Sequence, residues 1–487
     1  MNDLKKITIV GGGTAGYIAA LILKLRYPTV DIEIIKSDKI GIIGVGEGTT
    51  EHWNEFLKYI NVPWQMLFKH CDATFKCGIK FKGWGVSDYM HSIGPEHELK
   101  NGQYLLAYGL LISSNASNKE LNPILVWDNL VSADRLNPSS DSPYNQYHFN
   151  THKLNDFLKK ISIQRKIKII DDKILDLTLN ENGEIDLLIG EKNNYTADFF
   201  IDCTGFRKIL ISKLGAKWKS HSEFLKMKSA IVFPTNENKE YNLWTTAQAM
   251  DYGWMFSIPV WGRNGNGYIF DSDYLTPSKA KEEVEKFLGH DIDVSKQLQF
   301  DPGFLDRVWI KNCCAIGLSA NFIEPLEATS IGTSIQQTFL LMHRLPNYTQ
   351  KTIDNYNKNI TDIMLNIRDF VCLHYIVKKK NSQFWEDIAN LAIPDTLAEK
   401  LEQWKHNLPI ADDFNDQTAY LLFKEPHFIQ ILAGLKLFNL QKIQNEYNLI
   451  SPHNKARAED FIRETQTFAR INPTVSHKKF IELIRNS

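Results

Sequence analysis

The spacing of apolar and polar residues predicts a β-α-β unit at the start of the chain. Ile7–Val10 is a short β-branched run that ends in glycines, and Ala15–Leu25 places apolar residues at helical spacing. Asp31–Ile35 is strand-like again. Strands that alternate with helices in this way indicate an α/β fold around a parallel sheet.

Short β-branched and aromatic runs predict further strands. Four of them lie at Ile167–Ile170, Ile174–Leu179, Ile185–Ile189 and Asp198–Cys203. The sequence NENGE, Asn180–Glu184, is typical of a hairpin turn between the second and third runs. A second turn, Trp261–Tyr268, is predicted between strands at Phe256–Val260 and Tyr268–Phe270. Val308–Ala320 is interpreted as one more strand, which ends at Gly317.

Two parts of the chain differ from this strand-rich pattern. Residues 50–150 are rich in Trp, Tyr, His and Ser with weak periodicity, which is typical of a functional insertion. After about Leu345 the pattern is mainly helical. We therefore predict a module over residues 1–345 with an insertion at about 51–150, followed by a mainly helical region over residues 346–487.

Composition narrows the class of protein. The 487 residues carry a formal net charge of −1 and no long basic block, so the sequence does not support nucleic-acid binding. The six cysteines form no CxxC pair and no zinc-like spacing, which predicts reduced thiols and no metal site. A strand begins within the first residues, leaving no room for a signal peptide, and no apolar run approaches the roughly 20 residues of a membrane span. These features predict a cytoplasmic protein without a membrane partner, and a homo-oligomer is compatible with them.

A nucleotide site is indicated by G-x-G-x-x-G at Gly11, Gly13 and Gly16, between the first strand and the first helix. Glycines there allow a tight turn and a close approach to a pyrophosphate. The acidic residue expected about 20 residues later, for the ribose, falls at Lys36. Either Ser37 or Asp38 takes that role, or the adenosine end is held less tightly.

A second signal favours FAD over NAD. The strand within Tyr195–Phe206 ends in Asp202, Thr204 and Gly205, and Val308–Ala320 ends in Gly317. In two-motif flavoproteins late strands of this kind return to the dinucleotide. The following helix then points its N-terminus at the isoalloxazine, where its amides stabilise negative charge on reduced flavin.

Seven segments in order resemble the flavin-dependent halogenases, best known through the tryptophan halogenases. They are GGGTAGYIAA (Gly11–Ala20), GVGEGTT (Gly44–Thr50), DATFKCGIKFKGW (Asp72–Trp84), DFFIDCTGFRKILI (Asp198–Ile211), GWMFSIP (Gly253–Pro259), NFIEPLEATSI (Asn321–Ile331) and LHYIVKKKNSQFWED (Leu373–Asp387). The resemblance implies a two-motif, Rossmann-like FAD module and a two-component enzyme. Reduced FAD comes from a separate NAD(P)H-dependent reductase, and oxygen and halide yield hypohalous acid. This reagent reaches a lysine and halogenates an electron-rich, indole- or phenol-type small molecule.

The resemblance also implies roles for individual residues. Lys80 corresponds to the catalytic lysine and Glu327 to the glutamate beside the reacting carbon. The cofactor-binding residues it implies are Gly11, Gly13, Thr14, Ala15, Gly16, Ser37, Ile40, Glu47, Gly48, Ile174, Asp202, Gly205, Gly317, Leu318 and Ile331.

Each catalytic assignment has a plainer alternative. Lys76, Lys80 and Lys82 share one parity, so Lys80 could be a solvated lysine on an alternating strand. Glu327 could be a loop carboxylate that caps the following helix. Carbon–halogen chemistry instead requires a lysine in a desolvated pocket and a carboxylate that stabilises a cationic ring or accepts its proton.

The segment EPLEATS explains why two glutamates lie in an apolar run. Pro325 forces Glu324 out of the helical region, so Glu324 belongs to a loop and is expected to stabilise it through backbone amides. The helix is expected to begin at Thr329–Ser330 with Thr or Ser capping. By resemblance the amides of Thr329 and Ser330 form the halide site, although the family usually has Ser at Ala328 and Gly at Ser330.

GWMFSIP is an incomplete WxWxIP signature, because Phe256 occupies the second aromatic position. The resemblance implies that these aromatics block direct oxygenation of substrate over the flavin. Phe256 therefore leaves open a flavin monooxygenase that hydroxylates an aromatic substrate. A separate alternative is a flavoprotein that binds FAD and an aromatic ligand without turnover. Retention of both Lys80 and Glu327 argues against the second.

Overall fold

The chain forms two compact units, each assembled from three stretches of sequence. The computed structural model describes residues 4–44, 48–92, 103–114, 121, 129–133, 136, 144, 146–377, 379, 381–471 and 474–487. The first unit comprises Met1–Asp72, Phe149–His221 and Asp301–Leu365, and the second comprises Ala73–His148, Ser222–Phe300 and Asn366–Ser487. The domain division at residue 345 stays a prediction.

A six-stranded sheet forms the core of the first unit. Its strand order is Trp309–Ile310, Cys313–Ala315, Phe199–Asp202, Lys6–Val10, Asp31–Lys36 and Lys168–Asp171. Every neighbouring pair is parallel except the first. On the strand Lys6–Val10, Ile7 and Ile9 on one face and Thr8 on the other are fully buried, as expected for a parallel sheet covered on both faces. The predicted β-α-β opening and the α/β class are confirmed.

The remaining elements of the first unit are helices and two small antiparallel sheets. The helices are Thr14–Arg26, His52–Tyr59, Gln65–His70, Thr151–Gln164, Thr329–Met342 and Gln350–His374, the last of which runs into the second unit. The small sheets are Asn194–Tyr195 with Ile185–Gly190 and Ile174–Leu179, and Trp218–Ser220 with Gly303–Leu305 and Asn321–Phe322.

The hairpin turn at Asn180–Glu184 is confirmed, since its flanking strands pair antiparallel. The single strand expected at Val308–Ala320 is wrong. Lys311 has φ of +51°, and the chain reverses there into a short antiparallel hairpin between Trp309–Ile310 and Cys313–Ala315. An apolar pattern is the same on both arms of such a hairpin, so periodicity did not reveal the reversal.

A seven-stranded sheet organises the second unit. Its order is Lys296–Gln299, Ser229–Thr235, Arg263–Phe270, Gly253–Val260, Thr245–Ala249, Gly78–Lys82 and Tyr89–Ser92. Two-stranded pairs are Thr474–Ser476 with Leu130–Ser132, and Thr74–Lys76 with Gln146–His148. The helices are Gln103–Ser113, Pro277–Leu288, Gln383–Ala389, Asp395–Trp404, Glu425–Gly434, Leu440–Asn448, Pro452–Ile471 and His477–Asn486.

The turn predicted over Trp261–Tyr268 is too long. The strand begins at Arg263 and pairs on both sides, so the connection shrinks to Trp261 and Gly262. Polar residues of the strand Arg263–Phe270 are compatible with burial because they form hydrogen bonds. Asn266 Nδ2, for example, donates to Thr235 Oγ1 at 2.9 Å. Among the described residues, no helix is both long and apolar enough to cross a membrane.

Candidate active site

Two glycines of the G-x-G-x-x-G motif let backbone segments approach closer than any other residue allows. Gly11 has φ of +125°, and a Cβ on it would collide with the carbonyl oxygen of Cys203. A Cβ on Gly16 would collide with the carbonyl oxygen of Gly11. The motif therefore brings the first strand, the first helix and the end of the strand Phe199–Asp202 together, as a dinucleotide-binding turn requires.

Gly13 differs because the space beside it is open. It is the N-cap of helix Thr14–Arg26, and no side chain of the described residues caps that helix. A Cβ at Gly13 would meet no atom within 4 Å, and a Cβ at Gly205 would meet only Ile43 Cδ1, at 4.0 Å. The helix dipole, the N-terminal amides and this open cradle fit the pyrophosphate of FAD.

Lys36, the last residue of the strand Asp31–Lys36, stands where the dinucleotide-binding pattern has an acidic residue. Its ammonium forms an ion pair with the carboxylate of the exposed Asp38. Its aliphatic stem packs over Gly12, where a Cβ would lie 2.6 Å from Lys36 Cδ. Ser37 is half-buried beside this pair, and Ile40 is 48 % exposed. A lysine thus takes the place at which a ribose-binding carboxylate was expected.

Three further residues were predicted to bind the cofactor, and the structure describes two of them. Ile174 is buried at the start of its strand, and Gly48 is also buried. Glu47 lies outside the described residues. Their roles toward FAD stay predictions.

Asp202 is a buried carboxylate held by five donors. Its Oδ1 accepts from Thr204 N at 2.9 Å, from Thr204 Oγ1 at 2.7 Å and from Ser319 Oγ at 3.1 Å. Its Oδ2 accepts from Leu210 N at 2.8 Å and from Ile211 N at 3.0 Å. Such a set satisfies both oxygens, so Asp202 organises the loop around Gly205.

Replacement of Asp202 by asparagine should destabilise the protein by roughly 1.5–3 kcal/mol. The NH2 group of asparagine would face N–H or O–H groups that now donate to the Asp202 carboxylate, so those hydrogen bonds would be lost. We expect a lower melting temperature and weaker flavin binding, measured by thermal denaturation and flavin titration. Asp198→Asn is the matched control: one oxygen of Asp198 accepts from the amides of Lys5 and Lys6 at 2.8 Å, and an asparagine oxygen can do the same. Equal melting temperatures for the two variants would contradict the role assigned to Asp202.

Gly317 packs beside the start of the first helix. It has φ of +70°, and a Cβ there would lie 2.7 Å from Ala15 Cβ. Its amide donates to Gln337 Oε1 at 3.2 Å, which ties it to helix Thr329–Met342. Leu318 is half-buried and Ile331 is buried. Thr14, Ala15, Gly317 and the helix carrying Ile331 thus belong to one packed region of the first unit.

The loop before helix Thr329–Met342 has the geometry that the proline predicted. Glu324 has φ −52° and ψ 159°, outside the helical region, and Pro325–Glu327 forms one turn of 3-10 helix. The start of the helix at Thr329 is confirmed. Glu324 and Glu327 are 1 % and 3 % exposed, so both carboxylates lie inside the protein.

The expected Thr or Ser cap is wrong. The N-cap is Ala328, in the left-handed region at φ +54°, and it offers no side-chain acceptor. Thr329 and Ser330 therefore occupy the first turn itself. Within the described part of the chain neither of their amides has an acceptor. First-turn amides of this kind form an anion-binding position.

Lys80 lies in the second unit, on the strand Gly78–Lys82, whereas Glu327, Thr329 and Ser330 belong to the first unit. Its side chain is half-buried, and its Nζ lies over the indole ring of Trp244 at 5.4 Å from the ring centre. The three lysines of like parity do not share one solvated strand. Lys76 is buried and ends a separate strand, Thr74–Lys76.

The aromatic signature lies inside the same seven-stranded sheet. Trp254 and Phe256 are both buried, with ring centroids 6.2 Å apart. Phe256 pairs with Gly267 across the sheet, and its ring occupies the space that a side chain at Gly267 would need. Phe256 therefore fills its position as a core aromatic.

Two residues near the glycine-rich turn are kept neutral by their surroundings. Burial, reinforced by the charge of Asp202, raises the pKa of the Cys203 thiol well above its usual value. Burial likewise raises the pKa of Tyr17, to which Asp38 and Asp156 add. Neither group ionises at neutral pH, so neither is a nucleophile there.

Sequence reasoning missed two polar contacts of this region. Asn155 Nδ2 donates to the carbonyl oxygen of Gly12 at 3.1 Å, and Gln337 supports Gly317 as described. Both residues lie on helices far along the chain, and no local motif marks them.

The fold and site define a class: a flavoprotein with a Rossmann-like FAD module. Comparison with known proteins gives the family. The tryptophan halogenase family model matches residues 6–446. The chain therefore belongs to the tryptophan halogenase family, whose members are flavin-dependent enzymes that use reduced FAD, halide and oxygen. Members take the reduced flavin from a separate flavin reductase and act on an aromatic substrate.

Individual relatives extend over most of the chain. The 7-chloro-L-tryptophan 6-halogenase of Kutzneria sp. (strain 744) is 30% identical over 444 residues, which cover 83% of this chain and 85% of the relative. The tryptophan 6-halogenase of Streptomyces toxytricini is 29% identical and covers 84% of this chain and 85% of its own length. The solved tryptophan halogenase of Shewanella frigidimarina superimposes with a TM-score of 0.88 at 26% identity, covering 100% of this chain and 98% of that one.

Proposed function

We propose that this protein halogenates a free, indole-type small molecule, with Lys80 carrying the halogen to the ring and Glu327 assisting substitution. The observation that carries the proposal is that both residues of the family's substrate site are retained and withdrawn from solvent, Lys80 partly and Glu327 almost fully. The related tryptophan halogenases support an indole as the ring system. A cytoplasmic location and a homo-oligomer stay predictions.

The glycine-rich turn would hold FAD. Gly13 and the amides of the first helix turn would contact the pyrophosphate, and the region around Gly205 and Gly317 would approach the flavin end. When bound in reduced form, FAD supplies the oxygen activation that converts halide to hypohalous acid. The chain's own part is to bind the dinucleotide, exclude bulk water and place an anion at the amides of Thr329 and Ser330.

Bromide and iodide should be used at least as readily as chloride. Both ions are oxidised more easily than chloride, and Ala328 and Ser330 depart from the family's usual residues beside the proposed halide amides. The measurement is competition between equal concentrations of two halides, with products counted by mass spectrometry. Mainly chlorinated product would show that this expectation is wrong.

Lys80 would receive the halogen through its Nζ. An ammonium can hydrogen-bond hypohalous acid, and an amine can form a haloamine; either keeps the reagent at one position on the strand. The indole ring of Trp244 and the buried residues of the sheet limit the space around this group. Restricted access protects the reagent from water and directs it to a bound ring.

Glu327 would act on the ring that receives the halogen. A buried carboxylate stabilises the cationic intermediate and can accept its proton. Glu327→Gln keeps the shape of the side chain and removes the charge. We expect the rate of halogenated product formation to fall roughly 100-fold, as for loss of a general base or a fixed counter-charge.

Glu324→Gln is the matched control for Glu327→Gln. Glu324 is an equally buried carboxylate three residues earlier in the same loop. We expect it to alter the melting temperature with a much smaller loss of rate. Similar losses of rate in the two variants would remove the distinction between Glu327 and its neighbour.

The experiment that tests the function is product analysis with a panel of substrates. Tryptophan, other indoles and phenols are incubated separately with the protein, FAD, a flavin reductase, NADH, oxygen and each halide. Halogenated indole is the expected result. Hydroxylated product without halogen would instead support the monooxygenase alternative that Phe256 raises. Flavin binding without any product would support a non-catalytic flavoprotein.

A further inference from the structure

Two neighbouring strands of the seven-stranded sheet place the ammonium of Lys80 over the indole ring of Trp244. Trp244 directly precedes the strand Thr245–Ala249, which pairs in parallel with Gly78–Lys82 so that Thr246 lies opposite Lys80. Trp244 is 8 % exposed, and the Lys80 Nζ lies 5.4 Å from the centre of its ring. Because both residues sit on or beside paired strands, the sheet sets the positions of their backbones, and the Lys80 side chain reaches the ring from there.

Trp244 has the same ring system as the proposed substrate. Among the neutral aromatic side chains of proteins, the indole ring is the most electron-rich toward an electrophile. A halogen bound to Nζ and directed at the ring would lie at about van der Waals distance from ring carbons, roughly 3.5–4 Å. The residue that carries the halogen therefore faces an internal acceptor as well as an external one.

We propose that Trp244 is a halogenation site of the protein itself, modified from Lys80 when no aromatic substrate is bound. This inference rests on the proposed function, because it requires hypohalous acid and the Lys80 amine. Substrate protects Trp244 by consuming the halogen first. The modification adds bulk beside Lys80 and limits the number of turnovers when substrate is scarce.

The step balances without a further oxidant. Hypohalous acid transfers its halogen to the Lys80 amine, forming an N–X bond and releasing water. The indole ring then supplies the electron pair of a new C–X bond, while the N–X bond breaks, its electron pair returns to nitrogen and the nitrogen takes a proton from water, which regenerates the Lys80 amine. The cationic ring loses its proton to water and regains aromaticity. Hypohalous acid is the oxidant, and the family's activity supplies it.

The chain contains two internal controls of matched geometry. Lys208 lies 4.2 Å from the ring centre of Trp218, and Lys379 lies 5.5 Å from that of Trp385. Burial lowers the pKa of Lys208 and of Lys379, which favours the neutral amine, the form that accepts halogen. Neither is the proposed carrier. An amine thus lies as close to an indole ring centre at Lys208, or nearly as close at Lys379, as at Lys80, and the proposal attributes the difference in modification to delivery of the halogen.

The test is peptide mapping by mass spectrometry. Wild-type protein is turned over with FAD, reductase, NADH, oxygen and bromide in the absence of aromatic substrate, then digested. We expect the peptide containing Trp244 to gain one bromine in place of one hydrogen, and the peptides of Trp218 and Trp385 to remain unmodified. Lys80→Met, which keeps a long unbranched side chain but removes the amine, should abolish bromination of the Trp244 peptide. Added tryptophan should suppress it.

The outcomes separate this inference from the proposed function. If wild-type protein brominates an indole of the panel and Trp244 stays unmodified, the inference is wrong and the function stands. If no brominated product and no modified peptide form, the proposed function itself fails. Bromination spread over all three tryptophans, and unchanged in Lys80→Met, would indicate diffusing hypobromous acid and overturn the inference. Trp244→Phe provides a second check, because the bromine must disappear from that peptide alone.

Discussion

Lys80→Ala should form halogenated product at least about 100-fold more slowly than the wild type, the scale expected when an essential proton- or group-transfer residue is lost. Consumption of NADH and oxygen should continue. The reason is a division of labour between the two units. Oxidation of reduced flavin needs only flavin and oxygen, and the predicted flavin residues belong to the first unit, whereas Lys80 belongs to the second. The measurement couples product analysis by mass spectrometry with an oxygen electrode in the reductase-coupled assay.

Lys82→Ala is the control for this result. Lys82 lies two residues further along the same strand, is also half-buried and has the same parity as Lys80. A general effect of removing a lysine from this strand would lower product formation in both variants. Wild-type rates of halogenation in Lys80→Ala would show that the proposed site is wrong and that Lys80 is an ordinary strand lysine.

Gly13→Val should abolish retention of flavin while the protein stays folded. The backbone of Gly13, at φ −82° and ψ 179°, is extended and suits valine, and the added side chain would meet no protein atom within 4 Å at its Cβ. The side chain would instead occupy the cradle for the pyrophosphate. Loss of two or more charge-assisted hydrogen bonds, at about 1.5–3 kcal/mol each, would weaken FAD binding by more than about 100-fold.

Flavin absorbance after gel filtration and titration of apoprotein with FAD measure this effect, and circular dichroism checks the fold. Gly85→Ala is the control, because its added Cβ would make only ordinary contacts, the nearest at 3.6 Å, in the second unit. Tight flavin retention by Gly13→Val would exclude the glycine-rich turn as the pyrophosphate site. Unfolding of the variant would instead contradict the open space described beside Gly13.

Several elements were predictable because their causes are local. The β-α-β opening follows from apolar periodicity and glycine placement, and the Asn180–Glu184 hairpin from its turn residues. Pro325 accounts for the extended backbone of Glu324. Each cause lies within a few residues of its effect.

Other features depended on contacts between distant parts of the chain. Ser319 reaches Asp202 across 117 residues of sequence. Within Val308–Ala320, Cys313–Ala315 pairs with the distant strand Phe199–Asp202, while Trp309–Ile310 folds back antiparallel at the edge of the same sheet through a reversal at Lys311. Neither the pattern nor the composition of these segments distinguishes the two arrangements.

The sequence by itself determined the fold class, the glycine-rich nucleotide turn, the family and the identity of the candidate catalytic residues, because each depends on residue type and short-range spacing. Tertiary structure alone decided which groups surround those residues. It made Asp202 an organiser of the Gly205 loop, it left Ala328 as an N-cap with no side-chain acceptor, and it set the ammonium of Lys80 against the ring of Trp244. Strand order and register bring such groups together, and they are chosen by the packing of whole layers rather than by any local pattern.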